Sequence, residues 1–177
     1  MESLTRLFAH IPKDFPLPIL VVQHMHKLQN DYFITHHNCT CILPVKEAEE
    51  KEKIRSGTIY FAPPDYHLLV EEDETLALSV DEKVNYSRPS IDVLFESAAD
   101  VYKEKLIGII LTGANNDGAE GIRIIKQKGG FTIAQNPKDA EFPVMPQSAI
   151  DLVEMDRILS LKEMTTEFIR WDQEDEI

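Results

Sequence analysis

Three short runs of nearly unbroken apolar residues constrain this chain more than any other feature. They are Pro18-Ile19-Leu20-Val21-Val22, Leu106-Ile107-Gly108-Ile109-Ile110-Leu111 and Phe131-Thr132-Ile133-Ala134. A strand that is apolar on both faces is buried on both faces, as in a parallel sheet covered by helices. Helical periods lie between the runs. Leu4, Leu7, Phe8 and Ile11 share one face until Pro12 and Pro16 stop the helix. Ser90 reads as the N-cap of a helix whose face carries Ile91, Leu94, Phe95, Ala98, Ala99 and Tyr102. Residues 117–128 predict a helix that Gly129-Gly130 ends. Helices are also predicted over 145–153 and 161–171. Residues 57–62 predict a further strand and 42–45 a short one. Residues 66–70 and 76–80 predict a β-hairpin around the acidic turn Glu71-Glu72-Asp73-Glu74. The mixed-charge run 46–55 reads as a solvated face or loop, and the rest of 27–56 shows no clear period. Residues 172–177 read as a frayed acidic tail. The expected fold is α/β: one domain over residues 1–177, doubly wound, with a mainly parallel sheet, helices on both faces and a β-hairpin.

Charge narrows the partners. The 177 residues carry 18 Lys and Arg against 31 Asp and Glu, a net charge of −13. Such a chain repels phosphate backbones, so neither nucleic acid nor an anionic membrane is expected to bind it. No apolar run approaches the ~20 residues of a membrane helix, so no membrane insertion is expected. MESLTRLFAH lacks the basic start and apolar stretch of a signal peptide. Cys39 and Cys41, one residue apart, make no disulfide framework. The expected compartment is the cytoplasm.

In doubly wound folds, sites lie beyond the carboxyl ends of the strands. The polar residues there are Gln23-His24, the stretch from Thr112-Gly113 to Asp117, and Gln135-Asn136. His24 is either a strand-end cap or a general base, since imidazole titrates near neutral pH. Asp117 is either a turn or N-cap aspartate, or the carboxylate that orients the imidazole. The two would be two thirds of a hydrolytic triad. Ser3, Ser90 and Ser148 sit in no sharp Gly-flanked elbow. His36-His37-Asn38-Cys39-Thr40-Cys41 matches no ordinary zinc spacing and reads as structural, so no metal site is expected. Phosphate-loop and dinucleotide fingerprints are absent, which disfavours a flavodoxin-like small-ligand binder.

Six stretches together resemble one family. They are Pro-Ile-Leu-Val-Val-Gln-His-Met (18–25), Gly-Thr-Ile-Tyr-Phe-Ala-Pro-Pro-Asp-Tyr-His-Leu (57–68) and Arg-Pro-Ser-Ile-Asp-Val-Leu-Phe-Glu-Ser-Ala-Ala (88–99). Leu-Thr-Gly-Ala-Asn-Asn-Asp-Gly-Ala-Glu-Gly (111–121), Gly-Gly-Phe-Thr-Ile-Ala-Gln (129–135) and Val-Met-Pro-Gln-Ser-Ala-Ile (144–150) follow in family order. They resemble the catalytic domain of the chemotaxis protein-glutamate methylesterases, the CheB family. The resemblance implies a cytoplasmic serine hydrolase acting on γ-glutamyl methyl esters of chemoreceptor helices. It also implies deamidation of receptor glutamines, and no metal or organic cofactor. It places the catalytic histidine on His24 and the catalytic aspartate on Asp117. The amide after Gly113, on Ala114, falls on the oxyanion hole. Ala114 stands where the family usually has methionine, and Asn115 where it usually has glycine. His67 and the Arg88-Pro89-Ser90 turn match segments that border the cleft.

The departure from the family is at the front. There a first buried strand runs into Gly-x-Ser-x-Gly-Gly, whose serine is the nucleophile, and the following helix begins with residues like Met1-Glu2-Ser3-Leu4. The nucleophile is therefore expected upstream of Met1, together with a central strand. Ser3 belongs to the helix and does not replace it. Without that strand the sheet has a gap, filled by an unnumbered strand, by a different closure, or by self-association in which another copy donates a strand. The first is the reading adopted. No receiver domain of the family's kind is expected within residues 1–177. The alternative function is a non-catalytic receptor-binding or regulatory module that kept the fold.

Overall fold

The computed structural model describes residues 2–24 and 30–171. Met25 of the first motif and the acidic tail lie outside the described residues. Helix α1 (Glu2–Phe8) leads through the Pro-rich turn into β1 (Ile19–Val21). Helix α2 (Asn30–Thr40), β2 (Val45–Glu47) and β3 (Ile59–Phe61) follow. Both β1 and β2 pair with β3 in parallel, with Ile19 and Val45 opposite Ile59. The hairpin is β4 (His67–Val70) with β5 (Leu76–Ser79), antiparallel as expected. Then come α3 (Ile91–Tyr102), β6 (Ile107–Ile110), α4 (Ala119–Gln127), β7 (Phe131–Gln135), α5 (Val144–Leu152), β8 (Arg157–Leu159) and α6 (Leu161–Trp171). Strand β7 is central to a second parallel set, with Gly108 of β6 opposite Thr132 and Ile158 of β8 opposite Ala134.

The parallel strands are covered on both sides. Helices α1 and α6 bring Leu4, Leu7, Phe8, Met164 and Phe168 onto Val21, Ile59, Phe61 and Ile133. Each such Leu or Phe contributes about 1.5–3 kcal/mol by leaving water. On the other side α3, α4 and α5 gather Ile110, Ile122, Ile125, Met145 and Ala149. The hairpin closes over α3 through Leu68, Val70, Leu76, Leu94 and Ala98. Helices α3 and α4 approach closely at Gly121, where a Cβ would run into Phe95 and the backbone of Asp92.

Two elements have no counterpart in the sequence reading. In α2, the stretch that contains His36, His37 and Cys39 is structural. His37 is buried against the rings of Phe8 and Phe61. Asn38 grips both backbone groups of Val45, which ties α2 to β2. Strand β8 is largely exposed and three residues long. It exists because Asp156, just before it, accepts bonds from the backbone and hydroxyl of Thr132. The run 46–55 is also not all loop, since β2 takes Lys46 and Glu47.

Candidate active site

His24 leaves the carboxyl end of β1 and Asp117 lies in the loop between β6 and α4. These positions are 93 residues apart in the numbering, and the fold brings them together. His24 Nε2 stands 3.0 Å from Asp117 Oδ2. The imidazole is partly open and the carboxylate is fully buried. The contact has the distance of an ion pair but not the line of a well-directed N–H···O bond, since Nε2 has no aligned partner.

Asp117 is gripped by more than the histidine. Ser90 Oγ donates to Oδ1 at 2.7 Å, Ile91 N–H to Oδ2 at 2.7 Å, and Asp92 N–H to Oδ1 at 3.2 Å. The last two are open donors of the first turn of α3, so the carboxylate caps that helix and sits at the positive end of its dipole. Burial alone would raise the Asp117 carboxyl, but His24 and the Ile91, Ser90 and Asp92 donors outweigh it. Its pKa lies below the ordinary carboxylate value. The neighbouring Asp92 is shifted the other way. Burial pushes it up, against a bond from Gly121 N–H and with repulsion from Asp117. Two carboxyls on one helix start are thus separated in acidity by their surroundings.

The structure places the remaining expected residues in different roles. Ser90 occupies the N-cap position of α3, yet its side chain makes no cap bond to its own helix. It is fully buried and spends its hydroxyl on Asp117. His67 is buried as well. Its Nδ1 accepts from Ser90 N–H at 3.2 Å, so Nε2 carries the proton toward Glu82 carbonyl oxygen at 3.1 Å. Arg88 donates from Nη1 alone to the carbonyls of both Val80 and Asp81. Ser90 and His67 therefore back the site from behind Asp117, and Arg88 pins the loop beside them. Gly113 is fixed by Phe142 and Met145: its N–H donates to Phe142 and its carbonyl accepts from Met145 N–H, both at 3.0 Å. Ala114 is exposed, and among the described residues its N–H has no acceptor. Asn115 turns its Oδ1 back to Asp117 N–H at 3.1 Å, which shapes the turn.

Gln135 has a part that its position after β7 only hints at. It is fully buried, and its Oε1 accepts from Thr112 N–H at 2.8 Å. It holds the start of the Thr112–Asp117 loop to the end of β7.

Beside His24 a cavity of about 740 Å³ runs between β1 and β6. His24, Gly113, Ala114 and Asn115 line it along with Ser3 of α1. An imidazole set on a buried carboxylate at the carboxyl edge of parallel strands, open to a cavity, is an arrangement suited in its chemistry to acid–base work.

Comparison with known proteins places this machinery in a family. The family model described as CheB methylesterase matches residues 1–168. The chain belongs to the CheB methylesterase family. A relative in Leptospira interrogans, named protein-glutamate methylesterase/protein-glutamine glutaminase, is 47% identical over 98% of this chain and 90% of its own length. A relative of the same activity name in Syntrophus aciditrophicus is 36% identical over 96% of this chain, which spans 50% of its length. The crystal structure of the Thermotoga maritima CheB methylesterase catalytic domain superposes with a TM-score of 0.91 at 34% identity. The match covers 96% of this chain and 91% of that one. The architecture is thus that of the CheB catalytic domain. Among the described residues no helix is long and apolar enough to cross a membrane.

Proposed function

We propose that this chain carries the His–Asp half of a serine hydrolase that demethylates γ-glutamyl methyl esters, and deamidates glutamines, on chemoreceptor helices. The 3.0 Å approach of His24 Nε2 to a buried Asp117 carboxylate is the observation that carries it. In this reading the nucleophilic serine is supplied by a segment other than the residues described. With Nε2 on Asp117, Nδ1 of His24 is the nitrogen left to exchange a proton. It takes the serine proton as the oxygen attacks the ester carbonyl, then returns it to the leaving methoxide as methanol. Water resolves the acyl-enzyme by the same route and leaves a glutamate. With glutamine the leaving group is ammonia. Asp117 orients the ring and supports the imidazolium. In this reading the amide of Ala114 stabilises the oxyanion, a role worth ~2.7–4 kcal/mol per donor.

The test pairs two proteins: this chain, and this chain extended by its own upstream coding sequence. Both are treated with a fluorophosphonate, which labels only an activated serine, and assayed for methanol release from methylated receptor. The extended protein is expected to label and turn over, and His24→Gln to abolish both. Absence of labelling in the extended protein refutes the hydrolase reading. The alternative is a non-catalytic receptor-binding module that keeps the fold. Receptor binding without labelling would establish that alternative.

A further inference from the structure

The loop between β5 and α3 carries a turn with the wrong kind of residue for its backbone. Val84 and Ser87 exchange both backbone bonds, at 3.2 and 2.8 Å. Asn85 and Tyr86 lie between them, with φ of 49° and 62°. This two-residue turn needs left-handed backbone at both central positions, and its second position favours glycine. A bulky side chain there is strained. The turn nonetheless carries tyrosine, and Tyr86 is 97% exposed. Burial therefore offsets none of that strain in the free chain.

The loop is pinned along its length. Arg88 Nη1 donates to the Val80 and Asp81 carbonyls at 2.6 and 2.8 Å, and His67 Nε2 to the Glu82 carbonyl at 3.1 Å. Asn85 Nδ2 donates to Asp92 Oδ2 at 2.7 Å, and the Asp92 N–H is itself one of the donors on Asp117. Tyr86 is thus held one residue from an anchor on the helix start that grips Asp117. A side chain fixed in place loses little freedom on meeting a partner, and tyrosine is a common contact anchor. A second aromatic residue, Phe142, is 50% exposed; it lines the cavity, and its carbonyl accepts the Gly113 N–H. The groups to be cleaved, a methyl ester or a side-chain amide, are small and uncharged, so they do not distinguish one polypeptide from another. A net charge of −13 gives no general attraction to a helix whose cleaved groups become carboxylates. Selection then falls to short-range contacts with the segment that carries the ester.

We propose that Tyr86 is a docking residue for the polypeptide substrate, its ring packing on an apolar side chain of the helix that carries the ester. The identity of that helix rests on the hydrolase reading, and the contact rests on the strained, pinned and exposed turn.

Tyr86→Gly separates docking from folding, because the two move in opposite directions. Glycine relieves the left-handed strain, so Tm should hold or rise, by up to about 4 °C. The Kd of this chain for the cytoplasmic fragment of a methylated receptor, read by calorimetry, should weaken about 10-fold or more. In the chain extended by its upstream coding sequence, KM for the same fragment should rise by about as much, with kcat within about twofold. Tyr86→Phe keeps the ring and should bind within about threefold of the unchanged protein. Ile42→Ser is the control. Ile42 is 60% exposed and precedes the amino end of β2, at the sheet edge away from His24, so its Kd should not change. Docking at Tyr86 is overturned by an unchanged Kd or a lower Tm for Tyr86→Gly, or by a loss in Tyr86→Phe equal to that in Tyr86→Gly. Equal weakening by Ile42→Ser, or no binding of the fragment to either chain, overturns it too. If the extended chain neither labels with fluorophosphonate nor turns over while Tyr86→Gly still weakens Kd, the hydrolase reading fails and the docking residue stands.

Discussion

Replacing Asp117 with Asn tests whether one buried carboxylate both serves the imidazole and holds the start of α3. The side chain keeps its shape and loses its charge. Three donors now converge on it, Ser90 Oγ and Asp92 N–H on Oδ1 and Ile91 N–H on Oδ2, with His24 Nε2 3.0 Å from Oδ2. An amide has one acceptor end. Turned toward Ile91, its NH2 faces Asp92 N–H, and turned toward Asp92, it faces Ile91 N–H. Ser90 and His24 can rotate or change tautomer to accommodate the amide, but a backbone N–H cannot. At least one donor of the first turn is therefore orphaned whichever way the amide is oriented. A hydrogen bond to a charged group contributes about 1.5–3 kcal/mol, and a charge at a helix terminus about 0.3–1 kcal/mol more. Asp117→Asn should cost about 2–4 kcal/mol at neutral pH, and at about 3 kcal/mol the fall in Tm is roughly 6–12 °C. The loss carries a pH signature. The folded-state pKa of Asp117 is below its ordinary 3.8. Its stabilisation is therefore fully present above that value and lost as pH falls through the folded pKa. Urea unfolding of both proteins near pH 7, and stepwise from about pH 5 to pH 3, reads this out. The gap should be widest near neutrality and narrow in acid. Equal midpoints at pH 7, or a gap of constant size across the series, would refute the reasoning.

Three other substitutions probe the same region. Ser90→Ala removes a buried hydroxyl from a buried carboxylate and should cost about 1–3 kcal/mol in urea unfolding; a neutral result would mean that Ser90 does not hold Asp117. Asp92→Asn should be neutral or raise Tm at pH 7. A carboxyl whose folded pKa is raised loses its favourable contribution as pH rises through that value, so its ionised form is a burden at neutrality. A large loss of Tm would contradict this. Gly113→Ala drives a methyl group into Met145 and should cost about 1–3 kcal/mol, while unchanged unfolding would show that Met145 moves aside freely.

The apolar runs, the helical periods between them and the polar residues at the strand ends follow from local chemistry. A strand buried on both faces needs continuous apolar side chains, and chain continuity puts His24 and Asp117 at carboxyl ends. This part of the fold, and the position of those two residues beyond the strand ends, was legible in the linear order. Contacts between distant segments were not. Ser90 has the residue type of an N-cap, but only the packing of the β6–α4 loop onto α3 makes Asp117 the cap and Ser90 its support. His67 matched a cleft segment, but its burial under the 80–88 loop makes it a backing residue. Helix α2 and strand β8 lack a clear period. They form because Asn38 grips Val45 and Asp156 grips Thr132, bonds to residues far enough along the chain that no local pattern announces them. The opposite acidities of Asp92 and Asp117 likewise depend on which donors surround each group. The sequence by itself determined which segments seek burial and which chemistry stands at their ends. Tertiary structure decided which donor meets which acceptor, because a hydrogen bond is set by distance and direction in space rather than by position along a chain.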